Sequence, residues 1–238
     1  MMKDFCELWP GGPVFRQAAH VRLGTDSVLL ADFVNTGSAQ RGIDLGCASG
    51  ILALLLLTKS ERLHMTGLEL AGEAAEIASE NMERNGLRAR SAILPGDIRR
   101  HRELFAAGSF DLAVANPPYF PLGSGRLPRD PARAAAPSET DCSLDELCAA
   151  AAYLLPSGGS FALCHRPERL AEVFAAMGKH GIEPKRLRLV CARADSAPNL
   201  ALIEGRRDGR PGLRVEPILV LADPDGNESA EYQRIYHR

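Results

Sequence analysis

Short apolar segments alternate with glycine-rich turns and helical patterns along most of the chain, and this alternation constrains the fold more than any other feature. From residue 41 the order is strand, turn and helix, repeated. The predicted strands lie at 43–45, 65–69, 92–94, 110–115 and 160–164. Strands that alternate with helices predict a parallel sheet covered by helices.

The last third of the chain breaks the alternation. Residues 186–192 and 200–204 both have strand-like composition, and no helical pattern separates them. This pair predicts an antiparallel hairpin at one edge of the sheet, and a short further strand follows near 218–221. We therefore predict an α/β, Rossmann-like fold with a mainly parallel seven-stranded sheet. Residues 1–40 do not fit the repeat and are predicted to form an N-terminal lid segment.

The composition is that of an ordinary globular protein. Basic residues number 28 against 30 acidic residues, so a nucleic-acid partner would need a local basic surface. The six cysteines are scattered without a Cys-x-x-Cys pair, which is typical of reduced cysteines in a cytoplasmic protein. The longest apolar run, residues 51–57, is too short to span a bilayer, so we expect no membrane partner.

A glycine-rich turn, Asp44–Gly50, follows the first predicted strand. Its glycines, Gly46 and Gly50, let the backbone approach a ligand closely, and the next helix offers free N–H groups. Glu69 ends the second strand, where a carboxylate accepts hydrogen bonds from ribose hydroxyls. The spacing is not the dinucleotide Gly-x-Gly-x-x-Gly pattern. We interpret the turn as a nucleoside site; the alternative is a structural turn beside a surface glutamate.

The tetrapeptide Asn116-Pro117-Pro118-Tyr119 follows an apolar strand. Ligands bind at the carboxyl ends of strands in open α/β sheets. The prolines stiffen the turn, and Asn116 is forced into an extended conformation because a proline follows it. The motif therefore holds an amide beside an aromatic ring, an arrangement suited to a planar substrate that carries an NH2 group.

Together these motifs and Gly96-Asp97 resemble the class I S-adenosylmethionine-dependent methyltransferases, and more narrowly the branch that methylates amines. Segments 24–30, 161–170, 202–207 and 231–236 are similar to the tRNA adenine-N6 methyltransferase family that acts on position 37 of a valine tRNA. The resemblance implies a methyltransferase domain over residues 41–238. It also implies S-adenosylmethionine as cofactor, tRNA as partner and no metal, and it leaves the oligomeric state open.

The resemblance also implies roles for single residues. The donor's amino-acid end is held by Asp44, Gly46 and Gly50, its ribose by Glu69, and its adenine by Asp97. Asn116 and the Pro117 carbonyl accept the protons of the target amine, while Tyr119 stacks on the target base. Ala48 replaces the usual glycine of the loop, which would weaken cofactor binding if that position needs a positive φ.

Arginines occur where an RNA substrate would approach. Arg126, Arg129 and Arg133 lie in a long loop, 119–142, that we expect to be disordered in the free protein. Arg206 and Arg207 lie on the predicted hairpin. We predict that this set contacts phosphates; the alternative is ordinary solvated surface charge.

Two other functions fit the same motifs. One is methylation of a glutamine in a release factor, although about 40 residues before the fold are fewer than the helical domain those enzymes carry. The other is binding of a nucleoside or RNA without catalysis, for which Ala48 is the one indication.

Overall fold

A mixed β-sheet organises the structure, which is a computed structural model that describes residues 5–18, 24–118 and 142–237. The strands are β1 (Cys6–Glu7), β2 (Val14–Phe15), β3 (Arg41–Leu45), β4 (His64–Glu69), β5 (Ser91–Pro95), β6 (Leu112–Ala115), β7 (Ser160–His165), β8 (Ile182–Arg193), β9 (Leu200–Arg207), β10 (Arg214–Val215) and β11 (Leu219–Ala222). The helices are α1 (Thr25–Phe33), α2 (Ile51–Lys59), α3 (Gly72–Arg84), α4 (His101–Leu104), α5 (Leu144–Leu154), α6 (Leu170–Lys179) and α7 (Ala230–Ile235).

The strand order confirms the predicted Rossmann-like sheet. From one edge it runs β5-β4-β3-β6-β7-β9-β8. The strands from β5 to β7 are parallel, and β9 is antiparallel to both of its neighbours. Within the described ranges, the short strands β10 and β11 extend these seven to nine by pairing in parallel with β8. The order reverses at β3, which opens a crevice at the carboxyl ends of β3 and β6.

Two hydrophobic cores lie on opposite faces of the sheet. Alternate residues of a strand point to opposite faces, so Leu112 and Val114 enter one core while Ala113 and Ala115 enter the other. The first core is covered mainly by α1, α2 and α7, and the second by α5 and α6. Because both faces are covered, the central strands are apolar on both sides, as the near-continuous apolar sequence of β6 predicts.

Local sequence signals set the start of one helix and the end of another. The Ser143 hydroxyl accepts the Glu146 N–H, and the Glu146 carboxylate accepts the Ser143 N–H at 2.8 Å, which forms the capping box that opens α5. At the other signal, Gly86 adopts a φ of 68° just after α3, as its place behind Asn85 predicts.

The N-terminal segment is fastened to the main fold. Leu29 and Leu30 of α1 are buried in the first core. The chain from Val14 to Ala18 runs along α3, where two asparagine side chains bind its backbone. These contacts attach residues 14–18 and α1 to the main fold, and a lid function for residues 1–40 stays a prediction.

Three further observations concern helix length, groups that could hold a metal ion, and thiols. Among the described helices, none is long and apolar enough to cross a membrane. No group of three or more His, Cys, Asp or Glu side chains in the described ranges could hold a metal ion. The six cysteines are free thiols, and four of them are buried.

Candidate active site

The turn after β3 is built from residues with left-handed backbone conformations. Gly46 has a φ of 79° and Gly50 a φ of 81°, as expected for glycine in a sharp turn. The N–H groups of Gly46 and Cys47 both donate to the Leu68 carbonyl, at 2.9 and 3.2 Å, which ties the turn to the end of β4. The free N-terminus of α2 therefore opens toward the crevice.

Ala48 also adopts a positive φ, of 46°. The sequence left open whether this position needs such a conformation, and the structure shows that it does. A left-handed conformation costs a residue with a side chain roughly 1–2 kcal/mol. The Ala48 N–H donates to a Glu69 oxygen at 2.8 Å, and this hydrogen bond offsets part of that cost.

Asp44 lies beneath this turn and is 1% exposed. Neither of its carboxylate oxygens has a hydrogen-bond partner in the described part of the chain. Burial raises the pKa of Asp44 to about 7; the backbone N–H of Ala53 opposes this shift, and the negative charge of Glu69 adds to it. A buried acceptor without a partner is rare in folded proteins and is typical of a site that a ligand completes.

Asp44 faces a small cavity of about 110 Å³. Gly46, Ala48, Ser27 and Asn116 line the same cavity. One ordered water needs roughly 10–15 Å³, so the cavity has room for a small polar group such as an amino-acid end. The unpartnered Asp44 oxygens fit an ammonium donor, and the residues present therefore fit the amino-acid end of S-adenosylmethionine.

Glu69 and Asp97 lie side by side at the ends of β4 and β5, where the Gly96 N–H donates to the Glu69 carbonyl at 2.8 Å. The carboxylate of Glu69 accepts the N–H groups of Ala48 and Ala71, both at 2.8 Å. These bonds fix its orientation and leave further lone pairs for ribose hydroxyls.

Arg99 engages the carboxylate of Asp97. Its guanidinium donates to both oxygens, at 2.6–3.0 Å, and hydrogen bonding to Arg99 lowers the pKa of Asp97. Two apolar residues sit beside the acids: Leu70, which is 46% exposed, and Ile98, whose side chain reaches Gly46. Glu69 and Asp97 are the acids expected to bind ribose and adenine. Exposed apolar surface beside them suits the base of a nucleoside.

Asn116 is half-buried at the carboxyl end of β6. Its Nδ2 donates to the Ser27 hydroxyl at 2.9 Å, and its Oδ1 accepts from the Cys164 thiol at 3.1 Å. A hydroxyl from α1 and a thiol from β7 thus set the plane of the amide. Pro117 is half-buried and Pro118 is exposed, so the turn leaves the sheet toward solvent.

The structure brings together seven of the predicted site residues at one edge of the sheet. They are Asp44, Gly46, Gly50, Glu69, Asp97, Asn116 and Pro117. Tyr119, Arg126, Arg129 and Arg133 lie outside the described residues, as does the predicted disorder of their loop.

Arg206 and Arg207 do not join this edge. Arg206 pairs with Ser160, which begins β7, whereas Asn116 follows the end of the neighbouring strand β6. The two arginines therefore lie at the opposite edge of the sheet. They bind backbone there: Arg206 donates to the Gly158 carbonyl, and Arg207 to the Ala152 carbonyl. Arg206 and Arg207 lie on the hairpin, as predicted, and any RNA contact by them stays a prediction.

Four polar residues near the site were missed from the sequence. Ser27 and Ser49 lie within segment 24–30 and the Asp44–Gly50 turn, but neither was given a role, and Gln17 lies in a segment without a helical or strand pattern. Asn81 did carry a signal, since it is a polar residue on the apolar stripe of α3 and is fully buried. A buried polar side chain in such a stripe indicates a hydrogen-bonding task.

The fold and the site define a class I S-adenosylmethionine-dependent methyltransferase. A crystal structure from Agrobacterium tumefaciens, described as a predicted O-methyltransferase, superposes with a TM-score of 0.73 at 20% identity and covers 90% of this chain and 96% of its own. Residues 14–125 match the family model of the methyltransferase small domain. At these identities the structural likeness supports the fold.

The relatives narrow the class. A protein of Tolumonas auensis named tRNA1(Val) (adenine(37)-N6)-methyltransferase is 32% identical over 89% of this chain and 86% of its own length. A protein of Dickeya chrysanthemi with the same name is 31% identical over 94% and 92%. The chain belongs to the tRNA1(Val) (adenine(37)-N6)-methyltransferase family, which confirms the resemblance drawn from the motifs.

Proposed function

We propose that this protein transfers a methyl group from S-adenosylmethionine to the N6 amine of an adenine in tRNA, at an anticodon-loop base of the position-37 type. The observation that carries the proposal is the cavity that Asp44, Gly46 and Asn116 share. It supports the idea that the donor's amino-acid end and the target amine meet at one place. The names of the family relatives support the choice of tRNA.

On the donor side, S-adenosylmethionine supplies an electrophilic methyl group on a sulfonium. Asp44 accepts from the ammonium of its amino-acid end, and the turn at Gly46 and Gly50 lets that end approach the backbone. Glu69 accepts from the ribose hydroxyls, and Asp97 accepts from the adenine amine. Each role matches a carboxylate whose position in the fold is fixed by hydrogen bonds or burial.

On the acceptor side, the target amine is a poor nucleophile because its lone pair is delocalised into the base. The Asn116 oxygen and the Pro117 carbonyl accept hydrogen bonds from the two N–H groups of the amine, which aims the lone pair at the methyl group. The incoming amine replaces the Cys164 thiol as the hydrogen-bond donor to Asn116 Oδ1, while Asn116 Nδ2 keeps its hydrogen bond to the Ser27 hydroxyl. Catalysis is then mainly positioning for an in-line displacement.

The target base must leave its stack to reach this cavity, as an anticodon-loop base does readily. Tyr119 stacks on it, and Arg126, Arg129 and Arg133 bind phosphates of the same RNA. In this proposal residues 1–40 form a lid over a single methyltransferase domain of residues 41–238, and a tRNA substrate places the reaction in the cytoplasm.

The test measures transfer of labelled methyl groups from S-adenosylmethionine to bulk unmodified tRNA, followed by mass spectrometry of the nucleosides. The variant is Asn116→Ala. The matched control is Asn35→Ala, which alters an exposed asparagine. We expect labelled N6-methyladenosine with the wild type and the control, and a loss of at least about 100-fold with Asn116→Ala.

Other results would replace the proposed function by one of its alternatives. Cofactor binding without label in tRNA, but with label in a release-factor glutamine, would replace the proposal by the protein-methylating function. Absence of cofactor binding would favour a non-catalytic protein. Charge reversal at Arg126, Arg129 and Arg133 should weaken tRNA binding and flatten its salt dependence, and an unchanged salt slope would exclude these residues as phosphate contacts.

A further inference from the structure

Gln17 has an unexplained polar group inside the site. Its Nε2 atom is buried and has no hydrogen-bond partner in the described part of the chain. Gln17 lines the same 110 Å³ cavity as Asp44. A buried amide donor left without an acceptor is destabilising by roughly 1–3 kcal/mol, so its retention needs an explanation.

Neighbouring hydrogen bonds hold Gln17 in place. The residue before it, Arg16, donates its N–H to the Asn81 Oδ1 at 2.8 Å, and its carbonyl accepts from the Asn81 Nδ2 at 2.8 Å. The residue after it, Ala18, donates its N–H to the Ser49 hydroxyl at 3.0 Å. Asn81 Nδ2 also donates to the Ser49 carbonyl at 2.8 Å, so one buried amide joins the Gln17 segment to the glycine-rich turn.

The two unpartnered groups of the cavity are complementary to a zwitterion. Asp44 offers two acceptor oxygens, and Gln17 offers a donor N–H. An α-amino acid end carries an ammonium that needs acceptors and a carboxylate that needs donors. Arg16, which precedes Gln17, is not among the described residues that line the cavity, and its guanidinium pairs with Glu80 at 2.6 Å. The Gln17 amide is a neutral donor for the ligand's carboxylate, and Asp44 is the charged partner of the ligand's ammonium.

We propose that the Gln17 side-chain amide donates a hydrogen bond to the carboxylate of the S-adenosylmethionine amino-acid end, opposite the ammonium that Asp44 accepts. Asn81 acts as the positioning residue, since it fixes the backbone on which Gln17 stands. The assignment rests on the proposed function and adds a binding residue contributed by the segment before the α/β repeat. Gln17 thereby recognises the part of the cofactor farthest from its adenine.

The test is calorimetric binding of three ligands to the full chain. S-adenosylhomocysteine carries the whole amino-acid end, its decarboxylated analogue keeps the amine, and 5′-methylthioadenosine lacks both groups. Gln17→Leu removes the donor, Gln17→Glu replaces it with a carboxylate, and Gln233→Leu is a control at an exposed glutamine. Far-ultraviolet circular dichroism of each variant verifies folding.

The expected pattern is selective. Gln17→Leu weakens S-adenosylhomocysteine about tenfold or more and leaves the affinities for the decarboxylated analogue and for 5′-methylthioadenosine within about twofold. Gln17→Glu weakens S-adenosylhomocysteine further but does not weaken the decarboxylated analogue, whose ammonium attracts the new carboxylate. Equal weakening of all three ligands by both variants would assign Gln17 a structural role and overturn the proposal, as would unchanged affinity for S-adenosylhomocysteine. Wild-type protein that binds none of the ligands would refute the proposed function itself, and the Gln17 assignment with it.

Discussion

Replacement of Asp44 by asparagine should make the free protein more stable above neutral pH. Burial raises the pKa of this carboxyl from 3.8 to about 7, so the folded state binds a proton that the unfolded state has released. Stability therefore falls as the pH rises from the unfolded pKa through the folded one, and it is constant above. The side-chain amide of the Asp44→Asn variant is neutral throughout and carries no such dependence.

The magnitude follows from the shift. A pKa change of one unit corresponds to about 1.4 kcal/mol of folding free energy. The change for Asp44 extends from pH 3.8 to about 7, and about two units of it lie between pH 5 and pH 7. The free energy of unfolding of the wild type should therefore fall by about 3 kcal/mol relative to Asp44→Asn between pH 5 and pH 8. For a chain of this length that is a relative drop in Tm of roughly 6–12 °C.

The assay is urea or thermal unfolding of both proteins without cofactor at half-unit steps from pH 5 to pH 8. Burial also lowers the pKa of His165, and the difference between the two proteins cancels that contribution. Asp111→Asn is the matched control, because hydrogen bonds from the Gln40 and Arg41 N–H groups outweigh partial burial and lower the pKa of Asp111. Parallel curves for the wild type and Asp44→Asn would refute a buried, protonated Asp44.

Three further predictions follow from contacts described above or from the sheet. Affinity for S-adenosylhomocysteine should rise with pH up to about 7 and then level off, because its ammonium binds the ionised Asp44; calorimetry from pH 5.5 to 8.5 would show a flat profile if this is wrong. Ala48→Gly should raise the free energy of unfolding by about 0.5–1 kcal/mol by relieving the positive φ, and destabilisation in urea would contradict this. Arg186→Met should destabilise the protein by about 3–5 kcal/mol, because it leaves the buried Glu204 without the guanidinium 2.7 Å away. The double variant Arg186→Met, Glu204→Gln should recover much of this loss in urea unfolding. Equal stability of the single and double variants would argue against the ion pair.

The repeating part of the fold could be predicted from the sequence because its signals are local. Strands such as β6 are short apolar runs, and the capping box at Ser143 and the stop at Asn85-Gly86 involve neighbouring residues. The motif residues that the structure describes lie at one edge, since carboxyl ends of parallel strands converge there.

The remaining features depend on contacts between distant parts of the chain. The hydrogen bonds of Asn81 to Arg16 join residues 65 positions apart, and nothing in the sequence near Gln17 indicates them. The edge at which Arg206 lies depends on strand direction. Arg206 lies one residue before the end of β9, which runs antiparallel to its neighbours, so strand direction carries it to the amino-terminal edge of the sheet.

The asparagine pair on α3 has a consequence for how the protein responds to ligands. Asn81 and Asn85, four residues apart, each bind both backbone groups of one residue in the Val14–Arg16 strip, so their side chains take the place of a neighbouring strand on the side away from β1. If a ligand favours the attached strip by some factor, attachment favours that ligand by the same factor. Binding of the cofactor should then slow proteolysis within the first 18 residues, which are far along the sequence from the motif that begins at Asn116.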